Sequence, residues 1–256
     1  MNNLILIVKN LSIKLRKTGE ILVKNASFDL HPGDVMRISG LNGCGKSTIL
    51  KVLHGSTSDY ICEGEVVLSP FGECNILKLS DNDILRYRKF IGYVPQKDEY
   101  EGLNKLTISD LIQNEIHGSE MTFDEASELF EQYLSDGKRI TLKSIPGKLS
   151  GGQQRMLSIF LGLLCGGKHN LMIIDEPLNN LDFENAMKIS DLINAIRLKN
   201  PDSAMIMVTH CKIITCINRE REIADGTIQE VDSTYSCNHC MGAPDCELFY
   251  NKINLK

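Results

Sequence analysis

The sequence predicts an α/β fold built on a parallel sheet with helices on both faces. Short apolar runs, Val35 to Ile38, Ile91 to Val94, Leu171 to Ile174 and Met205 to Val208, are bounded by Gly, Pro or polar residues. Continuous rather than alternating apolarity is the pattern of strands buried on both faces. Helical patterns lie between these runs, and strand–helix–strand order marks the class. A glycine-rich stretch, Gly40 to Thr48, stands between the first of these strands and a helix-like run from Thr48 to Leu53.

The helices announce themselves by their ends. Thr122-Phe123-Asp124-Glu125 has the form of a capping box. Behind it Ala126, Leu129, Phe130, Tyr133 and Leu134 recur at helical spacing until Asp136-Gly137 stops the run. A second helix follows Asp182, with Ala186, Ile189, Ile193 and Ile196 on one face, and ends before Asn200-Pro201. Met156 to Cys165 follows a Gly-Gly turn and reads as a buried helix; it is about half the length of roughly 20 residues that a bilayer span needs. Between about 97 and 150 the alternation gives way to a mostly helical, polar insertion. From about 231 the composition changes again, to a tail rich in Cys, Ser, Thr and Asn.

Composition excludes several classes. The 256 residues are 42% hydrophobic and 24% charged, as in an ordinary soluble globular protein. A net charge of −5 lacks the basic balance of a nucleic-acid binder, and no nucleic-acid partner is expected. The N-terminus has neither the basic region nor the cleavage site of a secretory signal. Nine scattered cysteines form no disulfide-like framework, so reduced thiols and a cytoplasmic setting are expected.

Three motifs carry the chemistry. Gly40-Leu41-Asn42-Gly43-Cys44-Gly45-Lys46-Ser47-Thr48 matches the phosphate-loop pattern G-x-x-x-x-G-K-[ST], with the strand before it and the helix after it that the pattern requires. Glycines let successive backbone N–H groups turn inward as an anion nest, and the helix N-terminus adds its dipole. Lys46 brings a mobile charge for β- and γ-phosphates, and Ser47 a hydroxyl for Mg²⁺. Leu149-Ser150-Gly151-Gly152-Gln153 places a helix-capping serine and two glycines at a second helix start, again an anion site. Leu171 to Ile174 then runs into Asp175-Glu176-Pro177, delivering two carboxylates to the carboxyl end of a buried strand.

In this order, and with LSGGQ unaltered, the sequence resembles the ABC (ATP-binding cassette) ATPases over roughly residues 5 to 230. The resemblance implies a RecA-like P-loop core, an antiparallel β region at the N-terminus, and a helical subdomain at about 97–160. It implies ATP and Mg²⁺ as ligands, with Ser47, Gln96 and Asp175 on the metal and Glu176 activating the attacking water. Gln96, in Tyr93-Val94-Pro95-Gln96, matches the Q-loop glutamine. Asn179-Asn180-Leu181-Asp182 matches the D-loop, and His210, after Val208-Thr209, the switch histidine that contacts the γ-phosphate. It further implies that Ser150, Gly151, Gly152 and Gln153 cap the ATP held by a second cassette, so that two copies sandwich two nucleotides.

Two departures stand out against the family pattern. Leu15, with Arg16 beside it, occupies the position where an aromatic residue usually stacks on adenine. An Arg guanidinium stacking on the base and apolar packing from Leu15 are both open there. The signature helix reads Phe160-Leu161-Gly162 where a basic residue is familiar. The tail holds Cys237-Asn238-His239-Cys240 and Cys246, half of a zinc- or cluster-site pattern whose second half is incomplete.

A single cassette with no spanning segment fits a transport system assembled from separate subunits. The expectation is an energy-coupling subunit, peripheral on the cytoplasmic face of the membrane through an integral membrane permease. The segment Gln96 to Leu111 would receive that partner, and Leu106-Thr107-Ile108 resembles transport cassettes. The alternative is a soluble family member acting in cofactor assembly; the interval between Lys46 and Ser150 is too short for the coiled coil of the repair type.

Overall fold

The computed structural model describes residues 4–96, 105–117, 121–137, 140–164, 170–179, 181–211 and 213–231. The Cys-rich tail beyond Val231, Asn180 and the whole of the 97–104 segment lie outside the described residues.

Two sheets share one chain. The first is antiparallel, in the order β2 (Ile21–Leu30), β1 (Leu6–Leu15), β4 (Tyr60–Leu68). It is not wholly N-terminal, since its third strand follows the glycine-rich loop and the helix α1 (Lys46–Leu53). Leu15 pairs with Tyr60, so the later strand closes the end of the earlier hairpin.

The second sheet has six strands. In spatial order these are β5 (Ile91–Val94), β6 (Leu171–Asp175), β7 (Ala204–Val208), β3 (Val35–Gly40), β8 (Arg219–Ala224) and β9 (Thr227–Glu230). All neighbours run parallel except β8 and β9. The four apolar runs of the sequence are its four adjacent strands, and burial explains their continuity. Leu171 and Ile173 face a core shared with α1 and the antiparallel sheet, whereas Met172 and Ile174 face the helices on the other side. Along β7, Ile206 and Met207 divide in the same way. Phe28 is a core residue, as its sequence context predicts.

The helices of the second face are α3 (Ile108–Glu115), α4 (Phe123–Tyr133), α5 (Gly151–Leu164) and α6 (Phe183–Lys199), while α2 (Asp81–Arg88) leads into β5. Thr122 and Glu125 form the predicted capping box at α4, and Thr107 and Asp110 form another at α3. Asn200 closes α6 one residue before Pro201. The expected position of a basic residue in α5 is apolar here because the helix is sunk into the sheet: Leu161 is 5% exposed, and Gly162 lies against β5.

Candidate nucleotide site

The site forms where β3, β5, β6 and β7 end, the edge at which open α/β sheets bind ligands. At β3 the chain turns through Gly40, Gly43 and Gly45, all at positive φ, and enters α1 directly. Gly45 is required on two counts. Its φ is 103°, and a Cβ there would sit 2.9 Å from the Leu22 carbonyl oxygen of β2. No side chain caps α1 and no acidic residue occupies its first turn, so its N-terminal amides and dipole face the loop.

Side chains complete the loop. Lys46 is 7% exposed and reaches across it, donating to the carbonyls of Gly40 at 2.9 Å and Leu41 at 2.8 Å. The Ser47 hydroxyl donates to Asp175 Oδ1 at 3.0 Å, tying the loop to the end of β6. Asp175 is 1% exposed, and burial raises its carboxyl above the ordinary range while Ser47 and nearby cations pull it down. Cys44 packs into the core beside Gly40 rather than facing the loop mouth.

Glu176 follows with φ at 48°, an uncommon conformation for a residue with a side chain. Its N–H donates to the Val208 carbonyl at 2.8 Å. Its carboxyl is pushed up to about 7, first by burial and then by the Asp175 charge, against the pull of Lys46. His210 Nε2 lies 3.2 Å from Glu176 Oε1. A cavity of about 500 Å³ opens among these groups, lined by Asn42, Gly43, Gly45, Lys46, Ser47, Thr48, Gln96, Glu176, Asn179 and His210.

The fold thus brings the loop, Gln96, Asp175, Glu176 and His210 to one place. It does not bring the signature there. Ser150 and Gln153 bond reciprocally at the start of α5, with Ser150 N–H to Gln153 Oε1 at 2.9 Å and Gln153 N–H to Ser150 Oγ at 3.4 Å, while Gly151 faces open space. Asp182 also stands apart from the cavity, its carboxylate accepting from the N–H and the side-chain amide of Asn185 as the cap of α6.

Two residues to which the motif reading gave no role in the site belong here. Asn179, read only as part of the D-loop match, lines the cavity. Arg155, the one charged residue of α5, is 4% exposed and bonded to backbone at the site's edge. A charge two residues past the signature glutamine, at the head of a buried helix, was the available signal. Arg16 donates to the carbonyls of Ser58 at 3.0 Å and Tyr60 at 2.7 Å, which fixes its guanidinium against β4, and Leu15 packs half-buried on the core.

The donor set suits Mg²⁺. Ser47, Asp175 and Gln96 offer hydroxyl, carboxylate and carboxamide oxygens, the ligands of a hard cation. Among the described residues no cluster of three His, Cys, Asp or Glu could hold a metal.

A glycine-rich loop at a helix N-terminus, facing paired carboxylates, defines a P-loop nucleotide-binding protein. Residues 23–179 match the family model described as ABC transporter, and the chain belongs to that family, as one of its ATP-binding cassette ATPases. It is 33% identical over 232 residues to the metal-staphylopine import system ATP-binding protein CntD of Staphylococcus aureus, covering 88% of this chain and 81% of that one. It is 27% identical over 216 residues to the cell division ATP-binding protein FtsE of Streptococcus pneumoniae, covering 83% and 88%. In fold it is similar to a solved dimeric ATP-binding cassette in a post-hydrolysis state bound to ADP and Pi. That match has a TM-score of 0.69 at 23% identity and covers 89% of this chain and 99% of the other. No helix among the described residues is long and apolar enough to cross a membrane.

Proposed function

We propose that this cassette binds MgATP in the cavity at the loop and hydrolyses it with Glu176 as general base, in order to drive a separate membrane permease. The observation that carries the reading is the Glu176–His210 pair, 3.2 Å apart and facing Lys46 across the cavity. Lys46 exchanges its two carbonyl acceptors for β- and γ-phosphate oxygens, and the α1 amides and dipole hold the same charge. Ser47 and Asp175, with Gln96, would hold Mg²⁺, which supplies charge neutralisation at the phosphates. A carboxyl with its pKa near neutrality is suited to take a proton from the attacking water, and His210 orients that carboxyl and contacts the γ-phosphate.

One cassette presents the phosphates to open space on the side away from Lys46. The signature, which does not line the cavity of its own chain, supports closure by a second cassette whose Ser150, Gly151, Gly152 and Gln153 would complete the site. Stabilising charge arrives only on closure, so ATP drives dimerisation and hydrolysis reverses it. The relative named as the ATP-binding protein of a metal-staphylopine import system supports a role in transport. On this reading the chain is peripheral to the membrane through its permease.

The test is Glu176→Gln. The variant should form an ATP-dependent dimer on size exclusion and lose most phosphate release, and turnover near the wild-type rate would reject Glu176 as base. Affinity purification from detergent-solubilised cells addresses the partner, and recovery of soluble proteins alone would count against a permease.

A further inference from the structure

Arg155 stands in the second turn of α5, five residues after the serine that begins the signature. Its side chain is almost wholly buried, yet it points at backbone from two other strands. Nη1 donates to the Pro95 carbonyl at 2.6 Å, while Nη2 donates to the carbonyls of Asp175 at 3.1 Å and Glu176 at 2.9 Å. Each carbonyl belongs to, or immediately precedes, a residue that faces the cavity or its metal position. Pro95 precedes Gln96 at the end of β5, and Asp175 and Glu176 end β6.

Burying a cation is costly, and charge-assisted bonds to carbonyls offset that cost only when their geometry is fixed. The geometry here is of use at Glu176. Its backbone is held at φ 48°, a conformation that persists only where the surroundings over-determine it. The N–H is fixed by the Val208 carbonyl; the carbonyl accepts from Arg155 and, at 3.3 Å, from the Asn179 N–H. One guanidinium therefore grips the peptides that aim both Gln96 and Glu176, from the helix whose first turn is the signature.

We propose that Arg155 is a positioning residue that transmits the placement of the signature helix to Gln96 and Glu176, so that closure on a second copy aligns the base. This rests on Glu176 being that base. A planar fork is needed, because a lysine nitrogen cannot serve both Pro95 and the β6 carbonyls.

The experiment compares Arg155→Lys, Arg155→Met and Glu176→Gln, alone and with Arg155→Lys added to Glu176→Gln, in the full chain. Arg155→Lys should lower kcat about tenfold or more, since a small misplacement of reacting groups costs that much. Its KM for ATP should stay within about twofold, because the loop that binds phosphate is untouched. Arg155→Met should fall at least as far, and Arg155→Lys should add no loss to Glu176→Gln. A folded Arg155→Lys with wild-type kcat, beside an inactive Glu176→Gln, overturns the role of Arg155 alone. An active Glu176→Gln removes the base assignment and this inference with it. If both Arg155 variants are insoluble or fail to bind nucleotide, Arg155 serves folding and the inference is wrong.

Discussion

His210 Nε2 stands 3.2 Å from Glu176 Oε1, and strand register puts it there. Asp175 pairs with Val208 across β6 and β7, so the chain leaves both strands at the same level. Glu176, one residue beyond, returns its N–H to the Val208 carbonyl, and His210, two beyond on the neighbouring strand, meets its carboxylate. The pair exists because two adjacent parallel strands end together, and a slip of one residue in either would separate it.

The pH dependence of turnover follows from that environment. Glu176 is pushed up to about 7 by burial and by Asp175, and a general base acts only when deprotonated. The prediction is that kcat/KM, which reports the free enzyme, rises with pH through about 7 and levels above it. In Glu176→Asp the shorter carboxyl leaves His210, and turnover should fall by about 10² or more. A flat kcat/KM from pH 6 to 8 in the wild type would show that another group takes the proton.

The same shift has a consequence for stability with the opposite sign from most carboxylates. Folding raises the Glu176 pKa from 4.5 to about 7, so between these values the native state holds a proton that the unfolded chain has released. Its contribution to stability is greatest below about pH 4.5 and declines as pH rises to about 7. Glu176→Gln cannot ionise. In the absence of nucleotide it should melt above the wild type at pH 8, with the difference closing towards pH 4.5. Equal melting temperatures at pH 8 would mean that the buried charge carries no penalty.

Much of this site was legible because its motifs are local. Gly40 to Thr48 specifies its own loop, and Asp175-Glu176 ends a strand whose apolarity is visible in four consecutive residues. The central sheet was equally readable, because β5, β6, β7 and β3 are buried on both faces. Strands β1, β2 and β4 were not named individually, since they are half-buried and mix core residues such as Val8 and Leu11 with exposed Lys9 and Asn10. The placement of β4 beside β1 depends on a pairing that returns after α1, which no local pattern encodes. Arg155 was missed for a similar reason. The partners that tie it to the site are backbone carbonyls about 20 and 60 residues away, and a carbonyl leaves no trace in residue identity.

Gly162 tests how closely α5 lies on the sheet. In an open helix Gly→Ala gains roughly 1 kcal/mol of intrinsic propensity. Here a Cβ would sit 2.6 Å from Val94 Cγ2 and 3.3 Å from the Tyr93 carbonyl oxygen, and Val94 is fully buried. Overpacking of a filled core costs about 1–3 kcal/mol and exceeds the propensity gain. Gly162→Ala should therefore lower Tm by a few degrees. Adding Val94→Ala should cost less in this background than in the wild type, because the two changes share one space. A Gly162→Ala variant more stable than the wild type would show that helix and strand have room to part.

The Ser47–Asp175 hydrogen bond gives the last prediction, on metal dependence. The Ser47 hydroxyl holds the Asp175 carboxyl down against the burial that raises it. On the proposed assignment, Ser47→Ala removes an oxygen that would ligate the metal and also releases Asp175 to rise further, so a proton would compete better with Mg²⁺ for that carboxylate. Two effects should then appear together in the variant. The Mg²⁺ concentration for half-maximal hydrolysis should increase about tenfold at pH 8, the scale of a lost metal contact. It should increase by more at lower pH than at pH 8, because a raised carboxyl takes a proton more readily and the protonated form cannot bind the ion. Titration of ATPase activity with MgCl₂ at the two pH values measures both. An equal shift at each would assign Ser47 to the metal alone and remove its role in setting the charge of Asp175.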